Sequence, residues 1–149
     1  MGLLQYVLTW GRVLKDINIL IVDDNEFVRR AICNILRSEP MFRVVCEVAD
    51  GAEGIQKSKE LQPAVVLLDV SMPGMGGFEA AGQILAVSPK SEIVLLTQHA
   101  VARMAQAAFA NGIRGYVVKS DAATDLVPAV RAAIEHRQFA SLGLALGEE

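Results

Sequence analysis

Cysteine is scarce in this chain of 149 residues: there are two, Cys33 and Cys46, and both sit inside apolar stretches. Neither metal-ligand spacing nor secretory context surrounds them. A disulfide scaffold is therefore excluded, and both read as buried, reduced thiols. Long hydrophobic runs are missing as well. Mean hydropathy is +0.36, yet no run approaches the roughly 20 apolar residues that span a bilayer, and Ile19-Leu20-Ile21-Val22 ends in charge. There is no excess of positive charge. Lys and Arg total 14 against 17 for Asp and Glu, a net charge of -3, which excludes attraction to nucleic acid by bulk electrostatics. The first ten residues, although apolar, lack a basic n-region and an A-x-A cleavage site, so they do not read as a signal peptide. Repeats and low-complexity tracts are absent too. With 52% hydrophobic and 21% charged residues, global disorder is excluded. The chain length suits one domain with a real core, expected in the cytoplasm.

Between residues 16 and 137 short apolar runs alternate with helical periods. Residues 17–22 are nearly continuous in Ile, Leu and Val, as strands buried on both faces of a parallel sheet are. Asn25 is placed to cap a helix in which Phe27, Val28, Ala31, Ile32, Ile35 and Leu36 recur at helical spacing. Further strands are expected at 44–49, 64–68, 93–96 and 115–118, and further helices at 52–61, 78–87 and 101–110. Asn111-Gly112 provides a left-handed C-cap after the last of these. The final helix carries Leu126, Val127, Val130, Ala133 and Ile134. Pro128 belongs in a first turn, so that helix is expected to start near Thr124 or to bend there. Five strands alternating with five helices predict an open, five-stranded parallel sheet wound on both sides.

Asp23 and Asp24, Asp69, Thr97 and Lys119 fall at four of the strand ends. In a parallel sheet these ends share one edge, where ligands bind at the topological switch point. Three converging carboxylates repel one another and raise at least one pKa unless a cation intervenes. A hard divalent ion, Mg²⁺, suits such oxygen ligands. Lys119 adds a point charge of opposite sign and Thr97 a hydroxyl donor. The set suits a phosphoryl group; a flavin phosphate would want a loop of free N–H groups where two acids stand. Any single strand-end Asp also reads as a helix cap.

These residues carry a family resemblance. Ile19-Leu20-Ile21-Val22-Asp23-Asp24-Asn25 resembles the first strand and acidic pair of response regulator receiver domains. The stretch from Val65 through Asp69-Val70-Ser71-Met72-Pro73-Gly74-Met75-Gly76-Gly77 resembles their phosphoacceptor strand and loop, and Leu95-Leu96-Thr97 and Tyr116-Val117-Val118-Lys119 resemble the two remaining signatures. The resemblance implies a flavodoxin-like sheet of order 2-1-3-4-5. It implies that Asp69 is the phosphoacceptor and that Asp24, Asp69, the Ser71 backbone carbonyl and, through water, Asp23 hold Mg²⁺. Lys119 and Thr97 would engage the phosphoryl oxygens, and Tyr116 would turn inward as Thr97 moves. Ser71 and His99 would flank the attacking water and tune dephosphorylation, although His99 also reads as a plain exposed loop residue. The implied phosphodonor is a sensor histidine kinase or phosphotransfer protein. The protein would catalyse only its own phosphorylation and dephosphorylation.

Departures from the family pattern are Ser120 after Lys119, where proline is usual and where a trans bond is expected here, and Gln98 in place of a small residue. By analogy the kinase-docking face lies near Phe27, Arg29 and Arg30, and a homodimer face on the 101–110 helix, the fifth strand and the last helix. His136 reads as a helix C-terminal cation. Ser120-Asp121 and the run from Asp125 to Arg131 resemble receivers of the helix-turn-helix transcription-factor branch, and His136-Arg137-Gln138-Phe139-Ala140 the start of their linker. Three segments are expected: an extension at 1–15, a receiver at 16–137 and a tail or truncated linker at 138–149, with no nucleic-acid or membrane binding by this chain. In the extension Leu3, Leu4, Val7, Leu8 and Leu14 are expected either to line a docking helix, with Tyr6 and Trp10 as anchors, or to be disordered. Two rival readings stand: a phosphatase of the haloacid dehalogenase type, which wants a second Asp where Ser71 stands, and a pseudo-receiver binding module that is never phosphorylated.

Overall fold

The computed structural model describes the backbone of residues 6–9 and 12–15 and the whole of residues 16–141. Strands β1 (Tyr6–Thr9) and β2 (Arg12–Lys15) pair antiparallel, with Tyr6 opposite Lys15 and Thr9 opposite Arg12. This corrects the helical face expected over the extension: Tyr, Val and Thr favour extended backbone over helix. Leu3, Leu4 and Trp10 lie outside the described residues, as does the tail from 142.

The main sheet begins with β3 (Ile17–Val22). There follow α1 (Glu26–Leu36), β4 (Phe42–Val48), α2 (Gly51–Leu61), β5 (Val65–Asp69), α3 (Gly77–Val87), β6 (Glu92–Thr97), α4 (Ala102–Ala110), β7 (Gly115–Val118), α5 (Ala122–Ile134) and β8 (Phe139–Ala140). All pairings in this sheet are parallel, in the order β4-β3-β5-β6-β7-β8. The first five strands reproduce the expected 2-1-3-4-5 order of a doubly wound, flavodoxin-like sheet. The central strands are buried on both faces, as their continuous apolar runs require. Alternate residues divide between two cores. Ile19, Ile21, Val65, Leu67, Val94 and Leu96 face α1 and α5. Leu20, Val22, Val66, Leu68, Ile93 and Leu95 face α2, α3 and α4.

Three details refine the fold. The register of β3 on β4 skips Val45, because Ile19 pairs with Val44 and Leu20 with Cys46. This bulge kinks the exposed edge strand, a device that discourages edge-to-edge association. Helix α5 starts at Ala122, after a 3-10 turn over Lys119–Asp121, and runs on through Pro128 rather than starting at Thr124. Pro128 and Thr124 are both exposed, so the helical hydrogen bond that the proline removes is lost at the surface. The boundary expected at 137 falls short. His136 adopts φ 61 at the end of α5 and turns the chain back, and β8 adds a sixth strand beside β7, with Phe139 opposite Gly115 and Ala140 opposite Tyr116. The buried Ser141 closes this strand: its Oγ accepts the Val118 N–H at 2.9 Å.

Candidate functional site: an acidic cluster and a lysine at the carboxyl edge of the sheet

Residue by residue, the site follows from where the strands stop. β3 ends into Asp23, whose N–H donates to the Val48 carbonyl at 3.1 Å and whose Oδ1 accepts the Asn25 N–H at 2.9 Å. The cap of α1 is Asn25, whose Oδ1 accepts the Val28 N–H at 3.1 Å. Capping is therefore not the work of Asp24, and the exposed Asp24 carboxylate is left facing the cluster. β5 ends with Asp69, 3% exposed. The following loop returns tightly: Gly77 N donates to the Val70 carbonyl at 2.8 Å, and a Cβ on Gly77 would stand 2.5 Å from the Asp69 carbonyl oxygen. Only glycine lets α3 start this close to the phosphoacceptor candidate.

One carboxylate oxygen from each of Asp23, Asp24 and Asp69 lies within 4.8 Å of the others. Lys119, at the end of β7, bridges the buried pair, its Nζ 2.9 Å from Asp23 Oδ2 and 3.2 Å from Asp69 Oδ1. The Ser71 N–H also reaches Asp69 Oδ1, at 3.1 Å. Burial raises the Asp69 carboxyl above its ordinary value and the Asp23 charge adds to this, against the opposing pull of Lys119 and the Ser71 N–H. Burial works against the Lys119 charge, but the hydrogen bond and charge of Asp23, and then Asp69, outweigh it and raise the ammonium pKa. One lysine for three carboxylates leaves a net negative, all-oxygen donor set, which is what a hard divalent cation requires.

The remaining sequence-predicted residues are placed as follows. Thr97 ends β6 beside Asp69, but its Oγ1 is engaged with the His99 backbone, donating to the carbonyl at 3.0 Å and accepting the N–H at 3.2 Å. The His99 side chain is exposed. Tyr116 is fully buried, and burial raises its hydroxyl pKa against the opposing pull of Thr97. Ser71 is exposed, and Lys119–Ser120 is trans. Two placements are corrected. Cys33 and Cys46 are half-buried rather than buried. Arg29 does not belong to an exposed docking face: its side chain is 18% exposed and is turned inward, with Nη1 donating to the Asp23 carbonyl at 2.6 Å. Phe27, 77% exposed, and the Glu26–Arg30 pair remain on that face. His136 sits at the end of α5 as expected, with Nδ1 2.8 Å from Glu92 Oε2. Sequence reasoning missed Arg29 and Ser141, because both bond to backbone groups that no side-chain motif announces.

A doubly wound α/β domain with an acidic cluster and a lysine at the carboxyl edge defines a class of phosphoryl- and metal-handling switch folds. Within that class the chain belongs to the response regulator receiver domain family, whose model matches residues 19–131. It is 34% identical over 117 residues to the transcriptional regulatory protein LiaR of Bacillus subtilis, covering 78% of this chain and 56% of LiaR. A LuxR-family two-component response regulator from Aurantimonas superposes with a TM-score of 0.84 at 32% identity, over 89% of this chain and 95% of that one. The isolated receiver of RcsB from Salmonella enterica, determined with the phosphomimetic BeF3⁻, superposes with a TM-score of 0.82 at 28% identity, over 91% and 100%. The chain spans little more than half the length of LiaR. Among the described residues, no helix is long and apolar enough to cross a membrane.

Proposed function

We propose that this chain is a phosphorylation-dependent signalling switch in which Asp69 accepts a phosphoryl group from a sensor histidine kinase or phosphotransfer protein in the cytoplasm. The single observation that carries the reading is the bridge from Lys119 to both Asp23 and Asp69. It supplies a cation at the point where a buried carboxylate nucleophile and a negatively charged donor must meet. Lys119 and the Ser71 N–H both engage Asp69 Oδ1, which leaves Oδ2 as the attacking atom. The new bond joins Oδ2 to phosphorus, and the bond to the donor nitrogen breaks. Carboxylates act as covalent nucleophiles in such transfers, and charge growing on the equatorial oxygens is offset by Lys119.

Asp24, Asp69 and the Ser71 carbonyl would hold Mg²⁺, with Asp23 acting through water because its own oxygens already serve Asn25 and Lys119. Bound there, Mg²⁺ supplies Lewis-acid stabilisation of phosphoryl oxygens. Thr97 would leave the His99 backbone to reach the phosphoryl group, with Tyr116 occupying the inward position beside it. Ser71 and His99 would border the water path and set the lifetime of the modification. A homodimer face on α4, β7 and α5 would read out the change. Phe27 and Arg30 form the exposed face for the kinase. The protein modifies itself and turns over no small substrate.

Intact-mass analysis after incubation with Mg²⁺ and acetyl phosphate tests the reading. The wild type gains one phosphoryl group, and Asp69→Asn gains none. Full labelling of Asp69→Asn overturns the assignment, and hydrolysis of generic phosphomonoesters would revive the phosphatase reading.

A further inference from the structure

The turn between β3 and α1 presents the exposed Asp24. The turn itself is fastened by backbone and cap bonds and by one long side chain. Arg29 Nη1 donates to the Asp23 carbonyl at 2.6 Å, the oxygen of the peptide that joins Asp23 to Asp24. Its Nε is buried and lies 3.4 Å from Glu47 Oε1 on β4, close enough for an ion pair without a hydrogen bond. Glu47 in turn accepts the Cys33 thiol proton at 3.2 Å. A guanidinium is therefore stretched from the edge strand to the peptide that sets the direction of the candidate metal ligand. Its fork of donors in fixed geometry suits such a double attachment better than an ammonium.

We propose that Arg29 is a positioning residue for Mg²⁺ binding, holding the Asp23–Asp24 peptide in the orientation that presents the Asp24 carboxylate. This rests on the reading of Asp23, Asp24 and Asp69 as the metal site. Two physical effects of Arg29 oppose each other. As a charge, it competes with a divalent cation, so its loss should tighten Mg²⁺ binding. As a tether, it preorganises a ligand, and supporting contacts of this kind change metal affinity by about tenfold or more. The Arg29 charge is already paired with Glu47, so the tether dominates.

Mg²⁺ titration by calorimetry, together with the Mg²⁺ dependence of acetyl phosphate labelling, separates the two effects. Arg29→Met keeps the apolar stem and removes the donors. It should weaken Mg²⁺ binding about tenfold and raise the Mg²⁺ needed for half-maximal labelling, while the rate at saturating Mg²⁺ stays within about twofold of wild type, as expected when ground state and transition state lose the same binding. Arg29→Lys, able to reach the carbonyl but not both partners, should recover part of the affinity. If Arg29→Met melts early in chelator, Glu47→Gln answers instead: Glu47 is 40% exposed on its side chain, and freeing Arg29 from it should shift Mg²⁺ affinity in the same direction by a smaller factor. Equal or tighter Mg²⁺ binding by these variants overturns the proposal. A wild type whose Mg²⁺ binding survives Asp24→Asn unchanged overturns the metal-site reading instead.

Discussion

At the scale of single residues, the groups in the candidate site were legible because their positions are set by strand ends. An apolar run that stops at a polar or charged residue, four times in order (Asp23, Asp69, Thr97 and Lys119), leaves few placements in a parallel sheet. Cys33 was not legible in this way. Its neighbours in sequence are apolar, but its neighbour in space is Glu47, 14 residues away on β4. Partial burial, the hydrogen bond to Glu47 and the Glu47 charge push the Cys33 thiol up to about 11. An unfolded thiol titrates near 8.5. The preference of the folded chain for the neutral thiol is therefore fully present below that value and is lost as pH rises through about 11. At pH 8 few Cys33 thiols are ionised, although each thiolate is the more nucleophilic for its higher pKa. Alkylation of Cys33, resolved by peptide mass analysis, should be slower by about tenfold or more in the folded protein than in denaturant. Equal rates would mean that Glu47 does not hold the thiol.

At the scale of elements, positions in the sheet were read nearly to the residue, whereas α5 was not. A proline at the seventh position of a 13-residue helix argues locally for a later start, and tertiary packing overrode it. Leu126, Ala129, Val130, Ala132 and Ala133 are buried, and keeping them on one face requires the helix to continue through Pro128. The cost, a lost helical hydrogen bond, falls on an exposed stretch, because Thr124 and Pro128 both lie at the surface. Pro128→Ala restores that hydrogen bond and touches no buried contact. A helix-interior proline is about 3 kcal/mol less favourable than alanine, and the stiffer unfolded chain returns up to about 1 kcal/mol. Urea unfolding should therefore show Pro128→Ala to be more stable by about 2 kcal/mol, with an unchanged m-value. A loss of stability would mean that the ring contributes packing. Strand β8 was illegible for a different reason. It is two residues long, follows a left-handed turn at a histidine rather than a glycine, and is defined by the edge it covers rather than by its own pattern.

At the scale of the whole molecule, the sheet has two edges, and they are protected differently. On the β4 side the edge is exposed and kinked by the bulge at Val45. On the far side β7 carries Lys119 at its end and would be an edge strand without β8. Phe139 N donates to the Arg114 carbonyl at 2.9 Å and Ser141 N to the Tyr116 carbonyl at 3.1 Å, while Ser141 Oγ takes the Val118 N–H one residue before Lys119. Two ways of removing this cover have different consequences. Ser141→Ala keeps the strand in place but strands a buried N–H, at a cost of about 1–3 kcal/mol. That variant should stay monomeric or dimeric as the wild type does, with a lower urea midpoint. A chain cut after Arg137 instead opens the Gly115–Val118 edge to water, which satisfies the N–H groups but leaves an unpaired strand as a template for another chain. It should associate with increasing concentration in light scattering, and a chain cut after Ser141 should not. If the chain cut after Arg137 is as stable and as monodisperse as the longer one, β8 is an appendage, and the domain ends where the α5 periodicity ends.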